Sequence, residues 1–189
     1  MIIGLTGNYC SGKSIACSIF QQYGYDAIDV DLIGHDVLED KKREIVEVFG
    51  EEILKGELIN RKKLGHIVFN DHTKRKELED IVHPEMVSRV KEVLKNKRDV
   101  VINAALLIEM GLFTLCDFVI GLEAKEELAV KRGMVRDMLS HEEATLRLKA
   151  QIPLKEKLHY VDKVIDNNGE KKDFENRMRA LIQLLGQKE

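Results

Sequence analysis

Eight residues near the amino terminus restrict this chain more than any other stretch. Gly7-Asn8-Tyr9-Cys10-Ser11-Gly12-Lys13-Ser14 satisfies G-x-x-x-x-G-K-[ST] at every fixed position. In such a loop the backbone curls so that successive N–H groups point at nucleotide phosphates, the lysine adds a compact charge, and the Ser14 hydroxyl is placed to ligate Mg²⁺. The loop works between a strand and a helix, whose positive end also faces the phosphates. Both flanks are present. Met1-Ile2-Ile3-Gly4-Leu5-Thr6 is an apolar strand, and Ile15, Ala16, Ile19, Phe20 and Tyr23 keep helical spacing until Gly24.

Composition narrows the partners. With 30 basic and 33 acidic residues in 189, the formal charge is −3, so no global electrostatic case exists for nucleic acid or a membrane surface. No apolar run approaches the ~20 residues of a membrane span, and the amino terminus lacks the pattern of a signal peptide. Cys10, Cys17 and Cys116 form no C-x-x-C pair and leave an odd count, against a disulfide framework or structural zinc. A cytoplasmic protein with reduced thiols and no obligate protein partner is expected. Because Cys10 lies in the anion-binding turn beside a helix N-terminus, its pKa is expected below the free value of ~8.5.

The rest of the chain reads as α/β. A second strand is expected over residues 25–31, with Asp29 and Asp31 sharing one side of its carboxyl end. A carboxylate there can take a proton from an attacking hydroxyl or help to hold Mg²⁺, or it can simply cap the next helix. Residues 41–97 carry little β-signal and read as an inserted helical lobe, with a loop at Gly56 and Pro84 kinking or restarting its longest helix. Strands follow at residues 99–103, 117–122 and 161–167. Residues 125–159 form a basic helical segment in which Arg132 and Arg136 share a face. This is a lid that brings arginine over a triphosphate, or a solvated basic surface. Phe174, Met178, Leu181, Ile182 and Leu185 mark a closing amphipathic helix. The expected architecture is a P-loop fold with a five-stranded parallel sheet flanked by helices, in one domain: core 1–40, 98–124 and 160–189, substrate lobe 41–97, lid 125–159.

A P-loop alone does not choose among kinase, GTPase and ATP sensor. Asp31-Leu32-Ile33-Gly34 fits D-x-x-G but follows Ser14 too closely for a switch loop and strand, and Asn96-Lys97-Arg98-Asp99 fits N-K-x-D but precedes a strand. Neither supports a GTPase. A small-molecule kinase and a non-catalytic ATP sensor both remain.

An ordered set of motifs carries a family resemblance. The P-loop, Asp29-Val30-Asp31, His83-Pro84, Leu106-Leu107-Ile108-Glu109, Arg136-Asp137, Arg147-Leu148-Lys149-Ala150-Gln151 and Ile165-Asp166-Asn167 together resemble the dephospho-coenzyme A kinases over nearly the whole chain. The resemblance implies a nucleoside-monophosphate-kinase-like fold and Mg²⁺-dependent transfer from ATP to the 3′-hydroxyl of dephospho-coenzyme A, the last step of coenzyme A synthesis. It implies Lys13, Asp31 and Arg136 as catalytic residues. ATP contacts are expected from Asn8, Tyr9, Cys10, Ser11, Gly12, Lys13, Ser14, Ile15, Arg136 and Asn167, acceptor contacts from Asp31, His83 and Leu107, and the metal on Ser14. The runner-up is another small-molecule P-loop kinase. Asn8-Tyr9-Cys10, Ile15, Ala104-Ala105 and Ile108 depart from the family's usual residues and bear on local loop geometry.

Overall fold

The computed structural model describes residues 1–187. β1 (Ile2–Gly7) enters the phosphate loop and α1 (Lys13–Gln22) leaves it. In chain order there follow β2 (Asp26–Asp29), α2 (Val30–Asp40), α3 (Lys42–Phe49), the hairpin β3 (Leu54–Lys55) and β4 (Leu58–Ile59), α4 (Arg61–Asn70) and α5 (His72–Leu94). The remaining elements are β5 (Val100–Asn103), β6 (Phe118–Glu123), α6 (Glu126–Asp137), α7 (His141–Lys149), α8 (Leu154–Lys157), β7 (Lys163–Asp166) and α9 (Lys171–Gly186).

Two compact units result, one formed by Met1–Asp29 with the chain from Asn96 onward, the other by Val30–Lys95. The first is built on the expected five-stranded parallel sheet, in the order β2-β5-β1-β6-β7. Covered on both faces, a parallel sheet needs continuous apolar strands, and β1 and β5 supply them: Ile3, Leu5, Val100, Val101 and Ile102 have no exposed surface. On one side α1 and α9 close the core, with Ala16, Ile19 and Phe20 packed among Phe174, Met178, Leu181, Ile182 and Leu185. All strands being parallel, their carboxyl ends share one edge, which carries Gly7, Asp29, Asn103, Glu123 and Asp166.

The second unit is helical apart from its hairpin. Its apolar interior includes Val37, Ile45, Phe49, Ile53, Leu64, Val68, Val82, Met86 and Val90. Asn60 caps α4 by accepting from the Lys63 amide, and Asp71 caps α5 by accepting from Thr73 and Lys74. Gly34 lets α2 cross α5 closely, since a Cβ there would lie 3.0 Å from Met86 Cε. Further along, Asp40 pairs with Arg89 at 2.6 Å.

Four expectations need correction. β2 stops at Asp29, and Val30, 1% exposed, opens a helix. Asp31 therefore lies in the first turn of α2, where a carboxylate is favoured by the helix dipole, and it does not share a strand face with Asp29. α2 clusters with the helical unit rather than with the core segment 1–40. The region 41–97 also contains the β3–β4 pair, turned at Gly56 with φ +64°. Finally, α5 runs unbroken through Pro84. The proline forfeits only the bond to the Asp80 carbonyl, which lies on the exposed side, while Val82, Met86 and Val90 hold the opposite face in the core.

Candidate nucleotide site

The phosphate loop is held open by its fixed glycines. Gly7 has φ +149° and a Cβ there would sit 2.4 Å from the Leu122 carbonyl oxygen; Gly12 has φ +106° and a Cβ there would sit 2.4 Å from Asn167 Nδ2. Between them Cys10 adopts φ +54°, a left-handed conformation that costs an L-residue about 1–2 kcal/mol. Lys13 Nζ donates to the carbonyls of Gly7 at 2.7 Å and Asn8 at 3.1 Å, folding over its own loop. Asn167, almost fully buried at the end of β7, donates from Nδ2 to the Ser11 carbonyl at 2.8 Å, and its amide donates to the Glu123 carbonyl at 2.7 Å. It braces the loop from behind.

Ser11 Oγ and Asn8 Oδ1 are buried without a hydrogen-bond partner among the described residues, a costly state that an anion ringed by donors or its waters relieves at the hydroxyl. Ser14 is exposed at the head of α1. Its hydroxyl is the hard oxygen donor that suits Mg²⁺, an ion that keeps several waters and takes few protein ligands. The residues fit a Mg²⁺-nucleotide. On the neighbouring strands Asn103 Nδ2 donates to Asp29 Oδ2 at 3.2 Å, where β5 and β2 pair in register.

α6 and α7 bring a second group of charges to the loop. Arg132 Nη2 donates to the Asn167 carbonyl at 3.0 Å, while its buried Nη1 lacks a hydrogen-bond partner. Arg136 makes a two-point contact with Asp137, Nε to Oδ1 at 2.7 Å and Nη2 to Oδ2 at 3.0 Å, and its side chain stays 56% exposed. Arg147 Nη1 adds a third bond to Asp137 at 3.2 Å. The hydrogen bond from Arg136 holds the Asp137 carboxyl down at about 2, against the upward push of burial.

The sequence-derived site thus divides. Asn8, Cys10, Ser11, Gly12, Lys13, Ser14, Arg132, Arg136 and Asn167 gather on or beside the loop. Tyr9 is 7% exposed and turns its ring into the α6–α7 core, and Ile15 packs on the main core, so only their backbones are available to phosphate. Leu107 has no exposed surface; it packs where a Gly4 side chain would stand, 2.7 Å from that notional Cβ. Its side chain is core, not a substrate wall. Asp31 and His83 belong to the helical unit, each one turn before the Gly34–Met86 crossing of α2 and α5. The expected low pKa of Cys10 is also corrected: burial pushes the thiol up, outweighing the pull of Arg136 and Lys13. The N-K-x-D look-alike lies at the opposite edge of the sheet, where Asp99 pairs with the Met1 amino group at 3.0 Å.

Sequence reasoning missed Asn103, although it ends a strand in register with Asp29. It also missed the ion pair between Lys157, 2% exposed, and Glu109, 2.7 Å apart, which with a bond to the Ala105 carbonyl at 3.3 Å fixes the segment after β5.

A parallel sheet with a P-loop at the end of its central strand and arginine-bearing helices beside it defines a P-loop kinase. The dephospho-CoA kinase family profile matches residues 1–173. A dephospho-CoA kinase of Bacillus anthracis is 39% identical over 192 residues, with 96% of each chain covered. Among solved structures, a Thermus thermophilus protein superposes with a TM-score of 0.80 at 33% identity, covering 98% of this chain and 97% of that one. A dephospho-CoA kinase from Campylobacter jejuni gives 0.70 at 32%, with 97% and 96% covered. The chain belongs to the dephospho-CoA kinase family and is a phosphotransferase of coenzyme A biosynthesis.

Proposed function

We propose that this chain transfers the γ-phosphoryl group of ATP to the 3′-hydroxyl of dephospho-coenzyme A. The hydroxyl oxygen forms a bond to the γ-phosphorus, the bond from that phosphorus to the β,γ-bridging oxygen breaks, and ADP departs with the bridging oxygen. The hydroxyl proton passes to the Asp31 carboxylate. What carries this reading is the intact phosphate loop in a chain that matches dephospho-CoA kinases along nearly its whole length.

The loop amides and Lys13 bind and orient the β- and γ-phosphates, and Asn167 keeps the loop from collapsing. Ser14 holds Mg²⁺, which when bound neutralises charge on the phosphate oxygens. Arg136 supplies positive charge where negative charge develops in the transition state, and Arg132, bonded to the Asn167 carbonyl, adds a buried donor. His83 contacts the acceptor on the helical unit. Residues 41–97 act as the acceptor lobe and 125–159 as the lid, whose closure excludes water. ATP and dephospho-coenzyme A are the partners, and the cytoplasm, where Cys10, Cys17 and Cys116 stay reduced, is the location.

Replacing Asp31 by Asn tests the least obvious assignment. Loss of a general base lowers kcat about 10²- to 10⁴-fold while ATP binding, measured by calorimetry, is kept. Normal turnover with a melt lowered by about 0.5–2 kcal/mol would instead make Asp31 a helix-end residue.

A further inference from the structure

We propose that Tyr9 is a positioning residue for phosphoryl transfer: it fastens the tip of the phosphate loop to α6 and, through Asp137, sets the direction of Arg136. The inference rests on Arg136 acting on the transferred phosphoryl group, as proposed above.

Four contacts converge on this one side chain. Its ring lies in the small core of α6 and α7 with Ala129, Val130, Ala144 and Leu148. It occupies the place of a side chain at Gly133, whose notional Cβ would be 2.2 Å from Tyr9 Cε1. The Arg136 guanidinium sits over the ring, 5.1 Å from its centroid, a cation–π geometry. The phenol hydroxyl donates to Asp137 Oδ2, the oxygen that also accepts from Arg136 and Arg147.

These contacts have a mechanical consequence. Arg136 is more than half exposed, and a long side chain in that state samples many rotamers unless something fixes it. Asp137 is its fork-shaped partner, but Asp137 ends α6, and Met138 after it adopts φ +52°. A carboxylate at a helix end needs an anchor of its own to aim its partner. Tyr9 provides one from the loop that cradles the phosphates, so loop and arginine keep a fixed relation. Burial and the bond to Asp137 push the Tyr9 pKa up, and the phenol remains a donor at neutral pH.

Tyr9→Phe keeps the ring and deletes the donor. A hydrogen bond to a charged group governs about a tenfold change when it is removed. The expected result is a kcat lowered about tenfold, KM for ATP within about twofold and an ATP-bound protein that still melts cooperatively. In the Arg136→Ala background the same substitution should give no further loss, because both act through one guanidinium. A slow Arg136→Ala beside a full-rate Tyr9→Phe would overturn the inference alone, as would equal losses in both backgrounds. A full-rate Arg136→Ala would overturn the inference together with the role of Arg136.

Discussion

At the residue scale the chemistry depends on which groups keep their charge. Asp137 is held at about 2 in the folded chain, below an ordinary carboxyl of 3.8. A depressed carboxyl contributes stability that is complete above its unfolded pKa and lost as pH falls through the folded one. Here the window is about pH 4 to 2, and the contribution is about 2 kcal/mol for a side chain only 20% exposed. Asp137→Asn should therefore melt at a lower temperature at neutral pH and show a flatter acid limb between those values; an acid limb identical to wild type would contradict the assignment. The thiols behave in the opposite sense. Burial pushes Cys17 up to about 11 and Cys116 to about 12, and moves Cys10 in the same direction. Alkylation at pH 7.5 should accordingly be slow at all three compared with a free thiol, and a fast phase that Mg-ATP blocks would show an activated Cys10. The sequence argument for activation failed because it counted the helix end and Lys13 but could not count burial by α6, which is separated from the loop by more than a hundred residues.

Elements were legible where their signal was periodic or punctuated. The strand–loop–helix at the amino terminus, the amphipathic α9 and the stop of α3 at Gly50 all follow from local pattern. What escaped was set by tertiary packing: Val30 turning into a helix, α5 surviving Pro84, Leu107 filling the core, and Tyr9 reaching Asp137 across 128 residues. No window of neighbouring residues records such contacts. They can nevertheless be tested. Gly133→Ala gains helix propensity on α6 but drives a Cβ into the Tyr9 ring, and overpacking of that kind costs about 1–3 kcal/mol. The variant should lose stability, and the same substitution should cost much less in a Tyr9→Ala background, where the ring is absent; stability that rises with Gly133→Ala alone would mean the ring is not fixed there. For the segment after β5, Lys157→Met leaves the Glu109 carboxyl, whose oxygens are buried, without its ion-pair partner, at a cost of about 3–5 kcal/mol. Adding Glu109→Leu should restore most of the loss in a chemical denaturation series, and a double variant no better than the single would contradict this account.

For the whole molecule, the phosphate loop and Arg136 belong to one unit, while Asp31 and His83 are carried by the other. The proposed reaction therefore draws its donor and acceptor residues from different units of a single chain. Among the described residues no helix is long and apolar enough to cross a membrane, and no group of three or more His, Cys, Asp or Glu could hold a metal. P-loop kinases of one fold act on many acceptors, so the central claim concerns the acceptor. The direct measurement is ADP release from Mg-ATP by the purified chain with dephospho-coenzyme A, AMP, CMP or shikimate as acceptor, with product mass read by mass spectrometry. The account predicts turnover on dephospho-coenzyme A with formation of coenzyme A, and little on the other three. Turnover on AMP, CMP or shikimate with none on dephospho-coenzyme A would contradict it.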